Sequence, residues 1–228
     1  MGNQIIFNKL KEPEYARREA FNSLRTNLQF CGADIKTILF TSCGPDEGKS
    51  TVTFELARSI AESGKSVVLV DADLRKSVML SRYKAQATHK RVGGLSHYLS
   101  GQATIDDILC STNIPHFNVI LTGPLSPNPT ELLGNVLFEK LMWTLRDKFD
   151  MVIIDAPPLG AVIDAAVIAP YCDGAVIVIE NDNTSHRAAV NVKQQLERTG
   201  CRILGAVLNK VRVESSGYYY KYYGEYGK

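Results

Sequence analysis

The segment Gly44-Pro-Asp-Glu-Gly-Lys-Ser-Thr51 carries the residue types needed to hold a chain of phosphates. It follows an apolar run, Ile38 to Ser42, and precedes a stretch with helical apolar spacing at Val52, Leu56 and Ile60. A glycine-bearing turn between a strand and a helix presents backbone N–H groups at the positive end of the helix dipole. In that setting Lys49 reaches the β- and γ-phosphates of a nucleotide and Ser50 ligates Mg²⁺. Asp46, Glu47, Gly48 and Thr51 complete the loop around the phosphates. The strict phosphate-loop pattern asks for glycine at position 43, where this chain has Cys43. The Gly-Lys-Ser core after a strand remains, and a plain surface turn would not account for the carboxylates found elsewhere.

Those carboxylates are Asp71 and Asp73, in Val70-Asp-Ala-Asp-Leu-Arg75, and Asp155, in Met151-Val-Ile-Ile-Asp-Ala-Pro-Pro158. A lone aspartate at a strand end is commonly a helix cap or a solvated turn. Three of them beside a triphosphate site suit Mg²⁺, which prefers oxygen ligands, and can orient an attacking hydroxyl. Asn209, at the end of the last apolar run, is placed where an adenine edge could rest; a strand-end turn is its plain alternative.

Positioning these groups requires a sheet. Buried-type runs occur at Ile38–Ser42, Ser66–Val70, Phe117–Leu121, Met151–Ile154, Ala175–Ile179 and Ile203–Leu208. Helical stretches separate them, notably Lys49–Ser63 (ended by Gly64), Asn135–Lys148 and Ser185–Thr199. The expected fold is α/β, a mostly parallel sheet flanked by helices, as in phosphate-loop NTPases. Sites in such sheets lie at the carboxyl ends of the strands, so residues far apart in sequence converge there. The proline-containing stretch Pro124–Pro129 leads into a further helix, with Asn128 or Thr130 as its cap. Residues 1–214 are expected to form one domain and 215–228 a mobile tail of low complexity.

Composition excludes several classes. At 228 residues, 45% hydrophobic, the chain can bury a core without staples. No apolar run is long enough for a membrane span, and the start lacks the apolar core of a secretory signal. The five cysteines are odd in number and lack C-x-x-C spacing, which points to buried thiols in a reducing cytosol. A net charge of +2 gives no pull toward nucleic acid. Tyrosine is unevenly placed: Tyr218, Tyr219, Tyr220, Tyr222, Tyr223 and Tyr226, six of ten, lie in the last eleven residues. The tail is too weakly charged for these to favour RNA stacking. Tyr15, Tyr83, Tyr98 and Tyr171 are expected to be structural residues at the core edge.

Taken in order, these motifs resemble the bacterial tyrosine kinases of capsule and exopolysaccharide synthesis. Phe40–Ser50 is similar to that family's Walker A loop, Asp71-Ala-Asp-Leu-Arg75 to its A′ motif and Val152–Pro158 to its Walker B motif. Gly94–Gly101 and Pro127–Leu133 match two further landmarks, and the tyrosine cluster completes the likeness. The resemblance implies an ATP- and Mg²⁺-dependent protein-tyrosine kinase. Lys49 and Ser50 would carry ATP and metal, Asp73 and Asp155 would lie in the metal sphere, and Asp71 would take the phenolic proton. The clustered tyrosines would be phosphorylated in trans within a ring of subunits. It also implies a separate transmembrane activator of the polysaccharide chain-length regulator type, which recruits a cytoplasmic kinase to the inner face of the membrane, and a cognate tyrosine phosphatase.

Two positions depart from the family. Its oligomerisation motif E-x-x-R-x-x-R reads here as Glu19, Asn22 and Arg25, so a middle guanidinium is missing. Asp46 stands where many members have glycine. The competing class is a Min- or Par-like partitioning ATPase, or an ATP-binding regulatory subunit. The signature lysine of the partitioning loop is absent, since Gly44 occupies its position, and those proteins have no tyrosine tail.

Overall fold

The computed structural model describes residues 3–10, 12–88 and 92–211. The expected tail with its six tyrosines, and the domain boundary at 214, lie outside the described residues. In chain order the first elements are β1 (Gln4–Phe7), α1 (Tyr15–Phe30), β2 (Thr37–Ser42), α2 (Lys49–Glu62) and β3 (Val67–Asp71). There follow α3 (Met79–Arg82), β4 (Ala85–Ala87), α4 (Leu95–Leu99), α5 (Ile105–Ile108), β5 (Cys110–Thr112) and β6 (Phe117–Ile120). The chain then forms α6 (Pro129–Leu133), α7 (Val136–Lys148), β7 (Met151–Asp155), α8 (Asp164–Ile168), β8 (Gly174–Glu180), α9 (His186–Arg198) and β9 (Ile203–Asn209).

These strands make one sheet in the order β4-β1-β5-β6-β3-β7-β2-β8-β9. From β6 to β9 every neighbour is parallel. These are the six strands anticipated from the apolar runs. Beyond β6 the sheet continues through β5, antiparallel to β6, then β1 and the antiparallel β4. That three-strand extension was not anticipated. Its members are three or four residues long, and sequences such as Ala85-Gln-Ala87 carry no apolar period.

The central strands are apolar throughout because both faces are covered. Leu39, Val68, Val70, Val152 and Ile154 enter one core with Phe138, Leu141 and Leu145 of α7 and Ile168 of α8. The alternate residues Ile38, Phe40, Val67, Leu69 and Ile153 enter the other with Leu28 of α1 and Phe54, Leu56 and Ile60 of α2. Each fully buried aliphatic or phenylalanine side chain contributes about 1.5–3 kcal/mol, so these two layers hold the strand ends in register.

Local signals set the helix limits. Gly64, at φ 85°, follows α2. Asn135 caps α7 by accepting from the N–H groups of Leu137 and Phe138 at 2.9 and 3.1 Å. For α6 the expectation was incomplete. Asn128 occupies the cap position, but its side chain makes no cap bond and donates instead to Glu131, while the Thr130 hydroxyl donates to Asp164. Among the structural tyrosines, Tyr83 is buried and stacks on Phe54, and Tyr98 is buried too. Tyr15 is corrected: it is 53% exposed, at the first turn of α1, with the Arg18 guanidinium over its ring.

Candidate active site

The parallel sheet brings the carboxyl ends of β2, β3, β7 and β9 to one edge, and the sequence-predicted groups meet there. The loop after β2 turns into α2 through Gly48, whose φ of 87° is open to glycine and strained for other residues. A Cβ on Gly48 would lie 2.1 Å from Nδ2 of Asn209, which donates to the Glu47 carbonyl at 2.8 Å. Asn209 therefore frames the phosphate loop from the end of β9. Asp46, at φ 61°, adopts the same left-handed backbone, which aspartate tolerates better than most residues. This is why it can replace glycine. Its side chain is exposed at the cavity rim.

Cys43 has ordinary backbone geometry, so the loop does not need glycine there. Its N–H donates to Glu47 at 2.7 Å. Burial, then the Glu47 charge, pushes its thiol up to about 11, which makes it an unreactive core group. Glu47 is itself buried and its other carboxylate oxygen accepts from the Thr184 hydroxyl, tying the loop to the segment after β8.

Beneath the loop, Asp71 and Asp155 are register partners on the adjacent strands β3 and β7. Both are 1% exposed. Lys49, from the first turn of α2, places Nζ 2.6 Å from Asp155 Oδ1. The Asp71 carboxylate accepts from the Ser77 hydroxyl. Desolvation, and next the neighbouring Asp155 charge, push the Asp71 carboxyl well above the usual carboxylate range. One lysine facing two buried carboxylates offsets only part of their charge, so the Asp71 carboxyl binds a proton more readily than an exposed aspartate does.

Asp73 is half-buried and lines a cavity of roughly 170 Å³ with Lys49, Ser50, Arg75, Lys76 and Arg82. Its Oδ1 accepts from the backbone N–H groups of Arg75 and Lys76 at 3.3 and 2.9 Å. Among the described residues no group of three or more His, Cys, Asp or Glu side chains forms a ready-made metal site. The oxygen donors present, Ser50, Asp73 and Asp155, suit a hard cation that takes its remaining ligands from phosphate oxygens and water.

A loop of this form, a lysine on a strand-end carboxylate and a cationic cavity above describe a nucleotide-handling centre, and the AAA domain family matches over residues 36–204. The tyrosine-protein kinase CpsD of Streptococcus agalactiae is 43% identical over 225 residues, covering 99% of this chain and 96% of that one. The chain belongs to the bacterial tyrosine-protein kinase family. Among solved structures, the kinase domain of the Escherichia coli tyrosine kinase ETK superposes with a TM-score of 0.80 at 33% identity, covering 88% of this chain and 78% of that one. The chimerical protein CapA2B2 gives 0.78 at 33% identity, covering 85% and 84%.

In this kinase, Lys49, Ser50, Asp71, Asp73 and Asp155 lie at one edge of the sheet, with Asp46, Glu47 and Gly48 in the adjoining loop and Asn209 reaching it from the end of β9. Thr51, next after Ser50 in the first turn of α2, accepts from Arg82 at 2.8 Å. Glu19 and Arg25 are elsewhere, on α1. There Asn22 donates to Glu19 at 3.0 Å, and Arg25 donates to the Ser59 carbonyl and hydroxyl of α2 at 2.6 and 2.9 Å. Sequence reasoning missed Ser77, Arg82 and Thr184, whose roles depend on partners brought close by folding, with no spacing signal of their own.

Proposed function

We propose that this kinase binds ATP with Mg²⁺ in the cavity over Lys49 and Ser50 and phosphorylates the tail tyrosines 218, 219, 220, 222, 223 and 226 of a neighbouring copy. The observation that carries this reading is the convergence of Lys49, Asp155 and Asp71 at the strand ends, with Asp73 on the cavity wall above them. Mg²⁺, held by Ser50, Asp73 and Asp155, would neutralise charge on the phosphates. A phenol of pKa about 10 attacks weakly unless a base accepts its proton. Asp71, once Ser77 moves off its carboxylate, takes that proton while the phenolic oxygen bonds to the γ-phosphorus and the bond to the departing ADP oxygen breaks. Lys49 leaves Asp155 for the phosphates as they enter. Asn209 stays at the edge where the base of the nucleotide would lie.

Most of the acceleration comes from positioning and charge neutralisation. A neighbour's tail held nearby meets the site at an effective concentration of order mM, so weak intrinsic recognition of the tail is enough. Glu19 and Arg25 of α1 are the proposed contacts of a homo-oligomeric ring. Likeness to CpsD and to the chimerical protein CapA2B2 supports a role in capsular or exopolysaccharide synthesis. We further propose that a separate transmembrane activator draws the kinase to the inner face of the membrane and that a tyrosine phosphatase reverses the modification, as the family resemblance of the motifs implies. Among the described residues, no helix is long and apolar enough to cross a membrane.

The test is incubation with ATP, Mg²⁺ and the activator's cytoplasmic segment, followed by mapping of phosphotyrosine. Wild-type protein should be labelled on the tail and Lys49→Met should not. Equal labelling of a solitary Lys49→Met sample would defeat the proposal.

A further inference from the structure

Asp164, the first residue of α8, is completely buried and charged. Its Oδ2 accepts from Arg75 Nε at 2.6 Å and its Oδ1 from Arg75 Nη2 at 2.9 Å, a two-pronged pair. The Thr130 hydroxyl donates to the same Oδ1 at 2.6 Å and accepts from Arg75 Nη2 at 3.1 Å. Three separate segments therefore close on one guanidinium: the turn after β3, the start of α6 and the start of α8. Hydrogen bonds from Arg75 and Thr130 hold the Asp164 carboxyl below its usual range despite burial, which alone would raise it.

Arg75 also belongs to the turn that Asp73 organises. The Asp73 Oδ1 accepts from the backbone of Arg75 and Lys76, so fixing the Arg75 side chain fixes the turn and the direction in which Asp73 faces the cavity. A fork of two parallel charge-assisted bonds restricts orientation as well as distance, which a single lysine contact would not. A purely structural tie between α6 and α8 has no need of a residue two positions from a site carboxylate. Thr130, in the Pro127–Leu133 landmark, thereby gains a role that its sequence did not disclose.

We propose that Asp164 and Thr130 are positioning residues that act through Arg75 to aim Asp73 at the metal bound with the nucleotide. This rests on the reading of Asp73 as a magnesium ligand. An outer partner of a metal ligand typically contributes 10–100-fold in metal affinity.

The experiment uses the full chain and measures ADP affinity by calorimetry with and without Mg²⁺, together with Tm. Asp164→Asn keeps the shape and loses the charge. It should weaken ADP binding in Mg²⁺ by about 10–100-fold and leave Mg²⁺-free binding unchanged. Arg75→Met/Asp164→Leu removes both charges, leaves none buried alone, and should recover Tm while keeping the magnesium defect. Wild-type binding of Mg²⁺ with ADP by either variant would overturn the proposal, and so would an equal loss by Asp164→Asn in the absence of Mg²⁺. Asp73→Asn separates the two readings. If it too leaves the magnesium effect intact, the metal assignment fails and the clamp with it; if it removes the effect and Asp164→Asn does not, only the clamp fails.

Discussion

Lys49 Nζ lies 2.6 Å from Asp155 Oδ1, and the two side chains are 7% and 1% exposed. Lys49 is thus already engaged, at the end of a strand where a second carboxylate, Asp71, lies in register. Removing the ammonium leaves two buried carboxylates facing each other. Lys49→Met should therefore lose stability as well as phosphorylation, by about 3–5 kcal/mol for a broken buried pair. The loss should shrink in acid, where Asp71, raised toward about 7, takes up a proton and leaves one buried charge instead of two. Urea unfolding at pH 8 and pH 5 measures both; equal stability of variant and wild type at pH 8 would refute it.

Asp71 gives the opposite sign. An acid whose carboxyl is raised on folding, from the ordinary 3.8 toward about 7, binds more protons folded than unfolded. Its contribution is therefore fully present below the unfolded value and declines as pH rises through this window. Asp71→Asn should show a flatter Tm profile from pH 4 to 8, with a higher Tm than wild type near pH 8 and no tail phosphorylation. A variant profile parallel to that of the wild type would show that Asp71 does not ionise in this range.

Gly48→Ala should impair nucleotide binding twice over. The left-handed backbone costs an L-residue about 1–2 kcal/mol, and the new Cβ meets Nδ2 of Asn209. An affinity loss of about tenfold or more is expected. Gly48→Ala/Asn209→Gly removes the overlap but leaves the backbone strain, so ADP calorimetry should show partial recovery. Full recovery would assign the whole effect to the overlap, contrary to the strain argument.

The α1 motif and the tail predict changes in assembly. Arg25 is already bonded to Ser59 of its own chain, and Asn22 is bonded to Glu19, so few cationic donors remain for a neighbour. Asn22→Arg should raise the mass measured by light scattering. Six phosphotyrosines add about −9 to −12 to a chain of net charge +2, so ATP treatment should lower the mass of the wild type. A mass unaffected by complete phosphorylation would exclude charge-driven release.

The six parallel strands were legible because burial on both faces writes itself as unbroken Val/Ile runs, and the phosphate loop because Gly48-Lys-Ser50 needs a fixed local geometry. The edge strands β1, β4 and β5 were not, since short, half-exposed segments take their conformation from the neighbour they pair with. The cap of α6 was legible only in position: Asn128 takes it, but its side chain bonds Glu131, and Thr130 finds its partner in Asp164, 34 residues away.

Local chemistry alone thus determined the fold class, the residues at the strand ends and the crowding of tyrosines at one terminus. Only the tertiary structure decided which of those residues hold one another. Asp71 beside Asp155, Lys49 on Asp155, Ser77 on Asp71 and Arg75 on Asp164 are matters of strand order and loop path. Spacing along a chain records the neighbours a residue has before folding, whereas charge pairing in a buried site depends on those it acquires afterwards.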